Sequence, residues 1–217
     1  MRKDLLVVGQ VYHVFTRSIA EFKVFNNDNE FLRMLGAIKY YQYEKPKLKF
    51  SRFMQLKQTT HNNIEYNLFS EKERLVEIVA YCLMPTHLHF ILKQLKENGI
   101  SIFMKNILDS YSRYFNIKHK RKGPLWEGRF KNVLVEKDEY LLHLTRYIHL
   151  NPVAAGLVDN PENWIASSYQ EYIAKSTEKI CKYEEILNIE PISYQQFVND
   201  RVSYQKELAK IKQYLLD

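Results

Sequence analysis

The sequence predicts an α+β fold built on a ferredoxin-like or RRM-like antiparallel sheet, the split βαβ arrangement, with an added helix and a C-terminal extension. Three observations predict it. Runs rich in β-branched and aromatic residues recur at 10–17, 77–83, 87–93 and 129–135. Apolar residues at helical spacing lie between and after these runs, giving the order β-α-β-β-α-β-α. There are no internal repeats.

The first strand sets Val11, His13 and Phe15 on one face and Tyr12, Val14 and Thr16 on the other. Residues 26–28 offer an N-cap, and Phe31, Leu32, Leu35 and Ile38 follow at helical spacing, so a first helix is expected to reach about Tyr41. Residues 45–70 contain Pro46 and Asn62-Asn63 and read as a polar, irregular insertion or long loop. Residues 77–83 and 87–93 are expected to pair as a hairpin across Met84-Pro85-Thr86. A second helix carries Ile100, Phe103, Ile107, Tyr111 and Tyr114 on one stripe and is expected to end near Lys118. Gly123-Pro124 breaks the chain before the fourth strand. Asp138 can cap a third helix with stripe Leu141, Leu144 and Ile148, and Asn151-Pro152 is expected to end it, because a residue before proline is driven out of the α region. Beyond Asp159 only patches such as 204–216 read as helical.

Length bounds the organisation. The 217 residues suit one domain, 1–158, with a C-terminal extension over 159–217 that is helical or irregular. Cys82 and Cys181 lie far apart and read as reduced thiols, not as a disulfide framework or zinc knuckle. The apolar run after Met1-Arg2-Lys3-Asp4 is too brief for a signal peptide, and nothing has the length of a membrane span, so a soluble cytoplasmic protein is expected.

Charge points to a polyanion. The chain carries a net +7, divided as +10 over residues 1–158 and −3 after them. Between Arg113 and Lys131 stand seven basic residues, Arg113, Lys118, Lys120, Arg121, Lys122, Arg129 and Lys131, against one acid, Glu127. A basic run is also what a plain solvated face gives. Here Tyr114, Phe115, Trp126 and Phe130 interleave with the cations, and cations that track a backbone beside rings that stack on bases suit single-stranded nucleic acid.

The chemistry centres on His87-Leu88-His89. On a strand, residues two apart share a face, so both imidazoles point one way and make half of a metal site. Two polar side chains on a solvated sheet face give the same pattern. A structural zinc site usually needs four ligands including thiolates. Imidazoles with an amide oxygen and open positions suit Mg2+ or Mn2+ better. A candidate second half is Tyr147-Ile148-His149-Leu150-Asn151: on a helix Tyr147 and Asn151 are four apart and share a face with His143, off the apolar stripe. A phenol, an amide oxygen and two imidazoles are what metal-assisted attack of a tyrosine on a phosphodiester needs.

Three blocks carry a resemblance. Residues 84–90 (Met-Pro-Thr-His-Leu-His-Phe), 123–131 (Gly-Pro-Leu-Trp-Glu-Gly-Arg-Phe-Lys) and 146–157 (Arg-Tyr-Ile-His-Leu-Asn-Pro-Val-Ala-Ala-Gly-Leu) resemble the signature blocks of the single-tyrosine HUH transposases. More closely they resemble the bacterial REP-associated tyrosine transposase branch, over roughly residues 8–158. The resemblance implies a ferredoxin-like sheet with helices on one face and the tyrosine-bearing helix on the other. It implies metal-dependent cutting and transfer of single-stranded or hairpin DNA in transposition or repeat mobilisation, through a 5′-phosphotyrosine and a free 3′-hydroxyl. His87 and His89 would be the metal ligands, Asn151 the third, and Tyr147 the nucleophile. Many insertion-sequence relatives carry glutamine where this chain has Asn151; the REP-associated branch carries asparagine. Arg113, Lys118, Lys120, Arg121, Lys122, Trp126, Arg129 and Lys131 are the expected DNA contacts. A homodimer and a monomer are both compatible with the sequence. So are two rival readings, a non-catalytic single-stranded DNA- or RNA-binding module of the same topology and a metal-dependent phosphohydrolase in which Tyr147 is incidental.

Overall fold

Four strands pair antiparallel in the order β2-β3-β1-β4, with β1 at Val11–Arg17, β2 at Val76–Met84, β3 at His87–Gln94 and β4 at Lys131–Leu134. The protein is seen as a computed structural model that describes residues 5–44, 48–59 and 73–207. This strand order is that of a split βαβ sheet, as the pattern of runs predicts.

One face of the sheet is hydrocarbon. Tyr12, Val14, Leu88, Phe90 and Leu92 are buried there. Helix α1 (Asp28–Tyr41) and helix α3 (Gly99–Lys118) cover it, with Phe90 and Phe103 edge to face at 6.0 Å. Helix α1 starts as the sequence proposes: the Asn27 side chain accepts the Glu30 N–H. The opposite face carries His13, Phe15, His87 and His89, and over it lies helix α4 (Asp138–Ala154).

Three local expectations are corrected. The irregular stretch within 45–70 includes a helix, α2 (Phe50–Thr59), because Phe50 and Phe53 fall on one face and bury against Tyr40 of α1 at ring distances of 5.3 and 4.7 Å. The rest of that stretch, at 45–47 and 60–70, lies outside the described residues. Asp138 is the first residue of α4 rather than its cap; the cap position is Lys137, whose side chain makes no capping bond. Helix α4 also continues past Asn151-Pro152 to Ala154. Proline cannot donate to the carbonyl four residues back, and the Asn151 side-chain amide instead donates to Ile148 O at 3.5 Å. One lost bond so near the helix end is thereby replaced locally.

The chain after Asp159 lies along the outer edge of β2. Leu83 N donates to Ala166 O at 2.9 Å, Ser168 N to Tyr81 O at 3.0 Å, and Lys182 N to Ile78 O at 2.8 Å. An edge strand otherwise offers open backbone groups to any passing strand. Short helices α5 (Tyr169–Tyr172) and α6 (Pro191–Asn199) then bury Tyr169, Tyr172 and Tyr194 in the same core as the sheet.

Candidate active site

The histidine cleft is a product of strand register. Across β1 and β3, Phe15 faces His89 and Arg17 faces His87; on β1 and β4, Phe15 faces Lys131. Directly paired residues share a sheet face, so Arg17, His87, His89 and Lys131 stand on the side away from α1 and α3. The His87 and His89 rings lie 5.0 Å apart at 88°.

Each histidine has one nitrogen already engaged. His87 Nδ1 lies 3.0 Å from Thr86 Oγ1, and His89 Nδ1 lies 3.1 Å from His13 Nε2. The Nε2 atoms make no hydrogen bond among the described residues. Burial, with the Arg17 charge added, lowers the His87 pKa against an opposing pull from Glu21. Burial and the neighbouring His87, His13 and Arg17 lower His89 to about 3. Both rings are therefore neutral at neutral pH, the form in which an imidazole offers a lone pair to a cation.

Helix α4 brings Tyr147 to this cleft from the same chain. Its ring meets the His89 ring edge-on at 6.0 Å, and the residue is 52% exposed. Asn151 follows one turn later and is half-buried, its Nδ2 on Ile148 O and its side-chain Oδ1 without a hydrogen bond among the described residues. No hydrogen bond joins Asn151 to either histidine among the described residues. His143, expected on the same face, is tied elsewhere: its Nδ1 lies 2.9 Å from Arg146 Nη2 and its ring packs on Phe197 of α6.

The donor set fits a hard divalent cation with open positions. Among the described residues no three His, Cys, Asp or Glu side chains cluster as metal ligands. An ion held on two imidazole nitrogens would therefore complete its shell with an amide oxygen, phosphate oxygens and water, as Mg2+ and Mn2+ accept. A closed tetrahedral zinc site lacks its thiolates: Cys82 and Cys181 are buried, and burial raises both thiols.

Tyr111 and Tyr114, nearer than Tyr147 to the histidine strand in sequence, are engaged in packing. Tyr111 is buried, donates its hydroxyl to Val24 O at 2.5 Å, and burial drives its pKa up. Tyr114 is half-buried between Arg33 and Lys118, at 5.2 and 5.6 Å from its ring.

The basic segment divides in two. Arg113, Lys120, Lys122, Arg129 and Lys131 are exposed. Lys118 instead pairs with buried Glu30 at 2.8 Å, beside His119 at 2.7 Å. Arg121 folds back onto Asn116 Oδ1 and Pro124 O and lies over the Phe22 ring. Trp126 is buried, its indole N–H donating to Ser112 Oγ at 3.0 Å. Phe115 and Phe130 are buried as well. The aromatic interleaving thus belongs mostly to packing. It still shapes the cleft, since Glu127 N donates to Arg17 O at 3.0 Å and fixes the 125–127 segment beside the end of β1.

Sequence reasoning passed over Arg17 and His13. Only cross-strand register brings either one to the histidines, and register has no local signature beyond alternation.

Comparison with known proteins bears on the family and the fold. Residues 48–151 match the family model of IS200-like transposases. A curated Haemophilus influenzae protein, named as a REP-associated tyrosine transposase, is 32% identical over 104 residues, 43% of this chain. The chain spans 58% of that relative's length. The solved structure of a REP-associated tyrosine transposase bound to a REP hairpin superposes with a TM-score of 0.51, covering 87% of this chain and 94% of its own, at 16% identity. At that identity the likeness is one of fold. The resemblance carried by the three sequence blocks therefore holds in family model, curated relative and fold alike, and it is to the IS200-like transposases and, among them, the REP-associated tyrosine transposases.

Proposed function

We propose that this chain is a metal-dependent single-strand DNA endonuclease and strand transferase of DNA transposition or repeat mobilisation, with Tyr147 as nucleophile. One observation carries the reading: the exposed Tyr147 meets His89 at 6.0 Å within a single chain, beside two histidines whose Nε2 atoms are uncommitted among the described residues.

His87 Nε2, His89 Nε2 and Asn151 Oδ1 would hold Mg2+ or Mn2+, which when bound would supply positive charge to a scissile phosphate and its developing oxygens. The Tyr147 hydroxyl oxygen bonds to phosphorus as the bond from phosphorus to the 3′ oxygen breaks. The phenol proton passes to solvent, and the departing 3′ oxygen takes one up as a free hydroxyl. A 5′-phosphotyrosine remains, and the reverse attack by a 3′-hydroxyl rejoins DNA without an external energy source. Helix α4 carries the phenol at the cleft, which shortens the search for the reacting phosphate once DNA is bound.

The exposed cations Arg113, Lys120, Lys122, Arg129 and Lys131, with Arg17 beside His87, would track the phosphates of single-stranded or hairpin DNA. Lys118, Arg121 and Trp126 contribute by holding the turn that presents them. Because phenol and histidines come from one chain, a monomer suffices for this chemistry. No helix of the described residues is long and apolar enough to cross a membrane, and we read the working compartment as the cytoplasm, where DNA is available.

The test is incubation with single-stranded hairpin DNA and Mn2+, then denaturing electrophoresis. A covalent protein–DNA adduct is expected from the native chain and none from His87→Ala/His89→Ala, which keeps most DNA affinity. Metal-independent binding with no adduct would mark a non-catalytic binding module. Strand hydrolysis with no adduct would mark a phosphohydrolase.

A further inference from the structure

His13 lies on β1, two residues before Phe15 and on the same sheet face, and nothing in the motif blocks includes it. Its Nε2 lies 3.1 Å from His89 Nδ1, and the two rings are nearly parallel, at 18° with centroids 5.3 Å apart. Phe15 flanks the pair, 4.9 Å from His13 and 6.1 Å from His89. Register sets His13 opposite Ile91 and His89 opposite Phe15, so the two imidazoles are diagonal neighbours on one sheet face.

A hydrogen bond between two neutral imidazoles has two forms. In one, His89 Nδ1–H donates to a bare His13 Nε2, and the lone pair of His89 sits on Nε2. In the other, His13 Nε2–H donates, and His89 carries its proton on Nε2, where no cation can bind. Only the first form serves a metal site. Ligand histidines commonly owe their ring orientation and basicity to such an acceptor on the far nitrogen, most often a carboxylate or a carbonyl. Among the described residues the position behind His89 is taken by another imidazole. His87 differs, since its Nδ1 meets the Thr86 hydroxyl, a rotor that can donate or accept.

We propose that His13 is a positioning residue: it accepts the Nδ1 proton of His89, locks that ring, and so directs the His89 Nε2 lone pair at the cation site. This rests on the metal-site reading above, and the experiment separates the two.

Mn2+ affinity of the full chain is measured by the free-ion paramagnetic signal for the native protein, His89→Ala, His13→Leu and His13→Gln. Nitrogen-15 NMR of histidine-labelled native protein with Mg2+ locates the ring protons. The proposal expects His13→Leu to bind Mn2+ about 10- to 100-fold more weakly. His13→Gln, whose side-chain carbonyl can accept the same proton, should recover most of that loss. NMR should find the shared proton on His89 Nδ1 and a bare His13 Nε2. A proton on His13 Nε2 overturns the proposal even if a variant fails to fold. So does native affinity in His13→Leu when His89→Ala has lost it. If His89→Ala itself binds Mn2+ like the native chain, the metal-site reading fails instead.

Discussion

His149 Nδ1 and the Tyr194 hydroxyl meet at 2.6 Å, joining the helix that carries Tyr147 to helix α6. The other nitrogen, Nε2, lies 2.8 Å from Ser168 Oγ, which also accepts the Tyr81 N–H of β2 at 2.9 Å. Sheet edge, catalytic-candidate helix and C-terminal segment thus share one buried polar network. Such networks stabilise a unique arrangement only when every member is satisfied.

Tyr194→Phe removes one hydroxyl and leaves His149 Nδ1 buried without its partner. The expected cost is about 1–3 kcal/mol of stability, read as a lower urea midpoint with an unchanged slope. A midpoint equal to the native one would show that α6 does not brace α4.

Glu30 predicts an acid-labile junction between α1 and the end of α3. Burial pushes its carboxyl up, but bonds from Lys118, the Asn26 backbone, His119 and the Asn26 side chain outweigh that and bring it down to about 2. A folded pKa below the unfolded value, about 4.3, adds stability that is complete above that value. It is lost as pH falls toward 2, to a total on the order of 3 kcal/mol. Urea denaturation of native protein and Glu30→Gln at several pH values checks this. The stability gap should be widest at neutral pH and shrink below about pH 4.

Gly99 begins α3 pressed against the backbone of Leu75, and a Cβ there would collide with Leu75 O. The obstacle is main chain, not a side chain that can swing away. Gly99→Ala should therefore destabilise the fold by about 1–3 kcal/mol despite the better helix propensity of alanine. Equal stability in a urea titration would mean that the start of α3 shifts freely.

Neutralising Lys120, Lys122, Arg129 and Lys131 together should weaken single-stranded DNA binding. It should also flatten the salt dependence of log K by up to about 0.7 per lost phosphate contact. Neutralising Lys118 and Arg121, which are bound to Glu30 and to Asn116 and Pro124, should lower stability more than it changes the slope. An unchanged slope in the first variant would remove this surface from the interface.

The sheet and its histidine pair were legible because alternation and the His-x-His spacing are local signals. Strands β1 and β3 fall within a residue of the run limits. What the sequence hid depends on distant partners. Helix α2 is stabilised by Tyr40, the interior of Trp126 by Ser112 and Tyr111, and the chain beyond Asp159 by the free edge of β2. Pro152 looked like a helix stop because the Asn151 amide that replaces its missing bond is a side-chain event. His13 reads as one more alternating strand residue, and only register makes it the diagonal neighbour of His89.

The most direct test of the account is the identity of the tyrosine that becomes linked to DNA. Peptide mapping of the Mn2+-dependent adduct should recover the DNA on Tyr147. Tyr147→Phe, which removes only the hydroxyl of an exposed residue, should abolish the adduct and leave the fold intact. DNA recovered on Tyr111 or Tyr114, or an undiminished adduct from Tyr147→Phe, would contradict the account.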